Sequence, residues 1–351
     1  MSSLESLGGW PSLLGRLTRA HDLSAEEAEA ALGSILSGEA SPVHVAAFAA
    51  AMRTKGETAG ELVGLVRAMR SHAVRLDLGG GLVDTCGTGG DRSGTINVST
   101  MAAVVVASSG ARVVKHGGRA SSSVSGSADV FEALGVAIDL GPDGVERCVK
   151  EVGIGFCFAP RFHPAMRHAA PVRRELGVPT VFNFLGPLAN PAGATRQLIG
   201  VGDARMAPLM VEVLEENGTE HAMVVHGQDG LDELTTTAPS HVIETRGGPS
   251  GYERREFDLD PGELGIDLAA PGDLLGGSPA ENAAVVRSVF SGEKGPKRDF
   301  ALLNAAAGLV VAGRCATFED GLELASCLVD EGAALATLER LAAISSELEA
   351  D

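Results

Sequence analysis

The chain has 351 residues, 44% of them hydrophobic, and a formal net charge of −18. That length suits about two domains of roughly 100–200 residues each, and the hydrophobic content excludes a disordered chain. The acidity excludes a broad nucleic-acid face, because DNA and RNA select basic surfaces, yet it leaves room for a small anion held by a few local cations.

Cys86, Cys148, Cys157, Cys315 and Cys327 are odd in number and contain no CxxC pair. This pattern fits thiols in a reducing, cytoplasmic setting better than a disulfide frame or a zinc site. Residues 1–10 lack a basic stretch followed by an apolar block, so no secretory signal is expected. The longest apolar runs, such as 101–107, fall far short of the ~20 residues of a membrane span.

From residue 13 to about 74 the pattern is helical. Ser24 reads as an N-cap with Glu26 and Glu27 in the first turn. Ala28, Ala31, Leu32 and Ile35 then recur at helical spacing as far as Gly38. Ser41-Pro42 begins a second helix through 46–52, and a third spans 57–69. An alanine-rich unit of this size has a thin core and reads as a packing or dimerisation unit. After Gly79-Gly80-Gly81 the texture changes. Strands are expected at 82–86, 112–115, 136–140, 154–159, 197–201 and 222–225, and helices at 101–107, 128–134, 143–152 and 205–216. Residues 246–250 read as an exposed turn before 252–259, and 278–290, 298–311 and 318–343 return to helix. The expected fold is α/β: a small all-α N-terminal domain over 1–76, and a large α/β domain over 77–351 whose mostly parallel central sheet is covered by helices.

Four segments carry chemistry. The first is Gly87-Thr-Gly-Gly-Asp91-Arg-Ser-Gly-Thr95-Ile-Asn97-Val98-Ser99-Thr100, a strand-to-helix loop. Its glycines let backbone N–H groups approach an anion, and a helix N-terminus follows. No lysine follows the glycines, so it is neither a P-loop nor a dinucleotide fingerprint. A plain tight turn is its simpler reading. The second, Lys115-His116-Gly117-Gly118-Arg119-Ala120-Ser121-Ser122-Ser123-Val124-Ser125-Gly126-Ser127, offers cations and hydroxyls to a sugar phosphate, or else forms a flexible serine-rich loop. Two such loops at strand ends mark where ligands gather in open α/β sheets. The third, around Asp229, Asp232 and Glu233, offers hard oxygen ligands for Mg²⁺ beside a phosphate, or a solvated acidic surface. The fourth runs from Phe162 to Pro191, where His163 and Arg173 could receive a carboxylate. Arg167, His168 and Arg174 read better as a solvated cationic face.

Together these segments, with Lys55-Gly-Glu-Thr58 and Arg298-Asp-Phe-Ala-Leu-Leu-Asn-Ala305, resemble the anthranilate phosphoribosyltransferases nearly end to end. The resemblance implies a helical domain completed by helices within about 165–190, a homodimer formed through it, and Mg²⁺ as cofactor. The substrates it implies are phosphoribosyl pyrophosphate and anthranilate. Positions implied to bind the former are Gly87, Gly90, Asp91, Thr95, Asn97, Val98, Ser99 and Thr100, then Lys115, His116, Gly117, Gly118, Arg119, Ala120, Ser121, Ser122, Ser123 and Ser127. Gly87, Gly118, His163 and Arg173 are implied to bind anthranilate, and Ser99, Asp232 and Glu233 the metal. Catalysis would be electrostatic, by Lys115 and magnesium, with no covalent nucleophile.

The chain departs from the family pattern at three places. Gly118 stands where the second loop usually carries asparagine, Val124 where many members have lysine, and Arg92 where glycine is frequent. Loss of the asparagine weakens acceptor binding, or moves the enzyme to another aromatic amine or base. A non-catalytic nucleic-acid-binding relative would show a basic stripe and a degraded magnesium loop, and this sequence has neither.

Overall fold

Residues 4–91, 93–120 and 124–350 are described by the structure, a computed structural model. Arg92, Ser121, Ser122 and Ser123 lie outside them. Four helices open the chain: α1 (Gly9–Leu17), α2 (Ala25–Leu36), α3 (Pro42–Lys55) and α4 (Ala59–Ser71). Ser24 and Thr58 each accept the N3 backbone N–H while Glu27 and Glu61 reach back, forming capping boxes on α2 and α4; each cap stabilises by about 1 kcal/mol. Glu61 is fully buried and also accepts from Leu23 N–H and Lys55 Nζ, both at 2.9 Å. The Lys-Gly-Glu-Thr motif is therefore a local device that locks α3 and α4 to the start of α2.

The chain then alternates: β1 (Val83–Gly87), α5 (Val98–Ser108), β2 (Val113–Gly117), α6 (Ser127–Ala133), α7 (Pro142–Val152), β3 (Ile154–Phe158), the short helices α8 (Ala159–Phe162), α9 (Ala170–Leu176) and α10 (Phe182–Leu188), β4 (Arg196–Gly200), α11 (Met206–Glu216) and β5 (His221–Gly227). A hairpin, β6 (Ser240–Gly248) and β7 (Gly251–Leu259), precedes α12 (Pro279–Phe290), α13 (Pro296–Val311), α14 (Phe318–Asp330) and α15 (Ala333–Ala350). The sheet order is β3-β2-β1-β4-β5-β6-β7, parallel through β5 and antiparallel for the hairpin. The small all-α N-terminal region and the mostly parallel, helix-covered sheet match expectation.

Alternating side chains divide the sheet between its two coats. Ile199, Val224 and Ile243 face α11 and share a buried cluster with the N-terminal helices, while Leu198, Met223 and Val225 face α13. Helix α5 buries nine of its residues, Val98 and Thr100–Ala107, as an all-round apolar helix must. The N-terminal helices thus have no core separate from the sheet's.

Three local expectations are corrected. Residues 136–140 form no strand, although Val136, Ile138 and Leu140 are buried in alternation. The sheet ends at β3, and Ala137 N–H donates to Ser345 Oγ instead of a ladder partner. The single helix expected over 318–343 breaks at Gly332, whose φ of +77° suits glycine alone. Residues 246–248 are the end of β6 and not loop; the turn is confined to Pro249-Ser250.

Candidate active site

Loops from the C-terminal ends of β1, β2, β4 and β5 converge at one edge of the parallel sheet, the usual ligand position in such folds. Gly87 and Gly200 are register partners at the ends of β1 and β4. Both lack a Cβ for the same reason. One at Gly87 would run into the Asp232 carboxylate, and one at Gly200 would overlap the Asp232 carbonyl and lie 3.1 Å from Glu233 N. The acidic pair therefore lies across the ends of these two strands, and Gly89 N–H donates to Asp232 Oδ2 at 2.6 Å.

Beneath it Lys115, 1% exposed on β2, donates from Nζ to Thr85 C=O at 2.6 Å and Ser99 Oγ at 3.3 Å. Burial lowers its pKa, and the charge of Asp84 opposes that shift. Asp84 is fully buried; its carboxylate accepts from Asn190 Nδ2 at 2.8 Å and His116 N–H at 3.2 Å. Burial pushes Glu233 up to about 8 against the pull of Lys115, with Asp91 adding to the rise. Asp232 is raised well above the carboxylate range by burial first and by Glu233 and Asp91 next.

This donor set tests whether a cation fits. Asp232, Glu233 and Ser99 are hard oxygen groups, and a divalent cation among them would favour the ionised form of the two carboxyls that burial disfavours, so such an ion suits them. Among the described residues no group of three or more His, Cys, Asp or Glu side chains could enclose a metal alone. Phosphate oxygens would complete the shell.

The described end of the second loop is tied to the first. Thr100 Oγ1 donates to Ser127 Oγ at 3.0 Å, Asn97 Nδ2 to Ser125 C=O at 2.9 Å, and Asn282 Nδ2 to Asn97 Oδ1 at 2.8 Å. Asp129 gathers the N–H groups of Ala120 and Gly126, both at 2.9 Å, which fixes the loop's neck. Arg119 differs from expectation. Its guanidinium is occupied by Asp129 and Glu132 at 2.8 Å and lies over the Phe158 ring, so it is neutralised outside the cluster around Lys115.

Against α10 and the residues that follow it, His116 Nδ1 bonds Gly186 C=O at 3.1 Å and His163 Nε2 bonds Ala189 C=O at 3.0 Å. The rings stand 5.0 Å apart. Burial lowers His116 to about 3 and His163 to about 4, so both imidazoles are neutral. His116 Nε2 is buried without a hydrogen-bond partner among the described residues. Arg173 stacks over Phe182 at 5.6 Å, is half-buried, and has no carboxylate within ion-pair distance among the described residues. Burial lowers its pKa. Among the described residues, a Cβ at Gly118 would meet only Ala159 Cβ, at 3.9 Å. Arg167 and Arg174 are solvent-facing and His168 packs on Gly38. Sequence reasoning missed Asp84, Asn190 and Gly200. The only available signals were an acid inside an apolar strand and a glycine at a strand end.

Comparison with known proteins agrees with the fold. The family model described as the glycosyl transferase family a/b domain matches residues 79–335, and the helical bundle domain of the same family matches 11–73. The anthranilate phosphoribosyltransferase of Roseiflexus castenholzii is 51% identical over 332 residues, covering 94% of this chain and 97% of the relative. The crystal structure of the Thermus thermophilus anthranilate phosphoribosyltransferase superposes with a TM-score of 0.88 at 42% identity, covering 95% of this chain and 99% of that one. The Saccharomyces cerevisiae enzyme, solved in complex with PRPP and Mg, gives 0.87 at 28% identity over 96% and 98% of the two chains. The chain belongs to the glycosyl transferase family that contains these enzymes, as an anthranilate phosphoribosyltransferase homologue.

Proposed function

We propose that the protein transfers the 5-phosphoribosyl group from phosphoribosyl pyrophosphate to the amine of anthranilate, giving N-(5-phosphoribosyl)anthranilate and pyrophosphate, the second step of tryptophan biosynthesis. One observation carries this reading. Two glycine loops and the Asp232–Glu233 pair meet at the ends of β1, β2 and β4, which is the support for a phosphoribosyl donor site; Arg173 over Phe182 and the neighbouring imidazoles of His116 and His163 are the residues we assign to the acceptor.

In this reading the donor's phosphates lie against the N–H groups of Gly87, Gly90, Asp91 and Ser99 and the hydroxyls of Ser99 and Ser127, the latter held by Thr100. Asp232, Glu233 and Ser99 would hold Mg²⁺ there; when bound, it neutralises charge developing on the pyrophosphate leaving group. Lys115 adds a fixed positive charge beneath the same groups. Arg173 holds the carboxylate of anthranilate as a charge-assisted pair, and the neutral imidazoles give the ring a wall that does not compete for that anion. Positioning the neutral aromatic amine against C1 of the ribose supplies much of the rate. Cys86, a possible nucleophile beside the cleft, is buried and its thiol pushed up, which leaves no reactive thiolate.

We further infer a cytoplasmic homodimer that pairs through its N-terminal helices, where Val43 stands 74% exposed on α3. Among the described residues no helix is long and apolar enough to cross a membrane. Incubation with phosphoribosyl pyrophosphate, Mg²⁺ and anthranilate should quench anthranilate fluorescence. Intact donor binding by calorimetry without quenching would instead point to another acceptor. Sedimentation at a dimer's mass is the expected companion result.

A further inference from the structure

Arg53 and Asp203 join parts of the chain 150 residues apart. Arg53 Nη2 donates to Asp203 Oδ2 at 2.8 Å, and Nη1 lies 3.7 Å from Glu57 in the loop that follows the same helix. Arg205 grips Asp203 from the other side, with Nε on Oδ1 at 3.0 Å and Nη2 on Oδ2 at 2.9 Å. The carboxylate is thus held in one orientation by two arginines, one on α3 and one in its own turn.

That turn is packed against the first glycine loop. Gly202 N–H donates to Thr88 Oγ1 at 3.2 Å, and Thr88 N–H donates to Gly200 C=O at 2.9 Å. A Cβ on Gly202 would sit 3.6 Å from both Gly89 O and Asp91 N. Val201 C=O is held in turn by His226 Nδ1 at 2.7 Å. These contacts tie the turn that carries Asp203 to residues 88–91.

We propose that Arg53 is a positioning residue for the donor site: through Asp203 it holds the 201–203 turn against residues 88–91 and sets where that loop's N–H groups stand. The inference deepens the proposed function and rests on it for the identity of the donor. Arginine suits the task because its planar fork meets one carboxylate while its other edge faces a second. Arg53 and Asp203 are both partly exposed, but Arg53 also faces the buried Glu57 carboxyl, so Asp203→Asn is the variant that perturbs the Arg53–Asp203 link without removing the arginine beside Glu57.

The test uses the full-length protein with Arg53→Gln, Asp203→Asn, the double variant and Arg53→Lys. Amide hydrogen exchange without ligand should speed up at 88–91 and 201–204 in both single variants and stay at wild-type rates in α13. The KM for phosphoribosyl pyrophosphate should rise about 5-fold, the effect of a partly exposed ion pair of about 1 kcal/mol, with the KM for anthranilate unchanged. The double variant should be no worse than the worse single one, and Arg53→Lys should recover most of the loss. Wild-type exchange at 88–91, or a parallel rise in both KM values, would overturn the proposal. The exchange measurement needs no substrate, so an inactive wild-type protein would sink the proposed function and still leave this inference decided.

Discussion

Replacing Gly200 by alanine tests the placement of the acidic pair most sharply. The added methyl falls within the Asp232 carbonyl, which is backbone and cannot escape by changing rotamer. The segment is also pinned from the far side. Leu234 N–H donates to Asn304 Oδ1 at 3.1 Å, and Asn304 Nδ2 donates to Leu234 C=O at 2.8 Å. Relief therefore requires breaking these bonds or the one from Gly89 to Asp232. Overpacking costs about 1–3 kcal/mol, and a lost hydrogen bond to a charged group about 1.5–3 kcal/mol more. Against a typical domain stability of about 5–15 kcal/mol the protein should remain folded. A carboxylate displaced by about 1 Å should lower kcat/KM on the order of 100-fold. Circular dichroism and a Mg²⁺ titration of the rate would read both effects, with Gly15→Ala as control. Gly15 lies in α1 with nothing within 4 Å, so alanine there should be neutral or stabilising by up to about 1 kcal/mol. A Gly200→Ala variant with the wild-type rate and metal requirement would refute the reasoning.

Arg173→Gln should raise the KM for anthranilate about 10–100-fold, the worth of a charged hydrogen bond, and leave the KM for the donor within about 2-fold; equal changes in both would count against its role. Gly118→Asn should fold normally, because among the described residues a Cβ there meets only Ala159, and lower the anthranilate KM about 2–10-fold through one added hydrogen bond; an unchanged or higher value in steady-state kinetics contradicts this. For acid stability, His116 and His163 are both held below their ordinary value of 6.5. The unfolded chain then binds more protons than the native one as pH falls. Their contribution is complete above pH 6.5 and is lost as pH falls towards 4 and then 3. Urea midpoints measured across that window should fall, and His163→Asn should flatten the slope.

The strand-end loops were legible because glycines, hydroxyls and lysine cluster at fixed places between an apolar run and a helix. Lys115, Ser99, Asp232 and Glu233 meet as their motifs suggested. Arg119 was not legible, because its partners Asp129 and Glu132 are recruited only once α6 forms and Asp129 caps it. Gly200 looked like an ordinary strand end, since the backbone it accommodates arrives from more than thirty residues away. The alternation of Val136, Ile138 and Leu140 reported burial correctly but could not report the absence of a neighbouring strand. Periodicity marks which face is dry; hydrogen-bond partners are a matter of topology.

The most direct test is the stoichiometry of the proposed reaction. Anthranilate consumption by fluorescence and pyrophosphate release should be measured in the same vessel, with the wild type and with Asp232→Asn/Glu233→Gln. The account predicts one pyrophosphate per anthranilate, dependence on Mg²⁺, and loss of both signals in the double variant although Arg173 and the histidines are intact. Turnover of anthranilate without pyrophosphate, or full activity in the double variant, would contradict it.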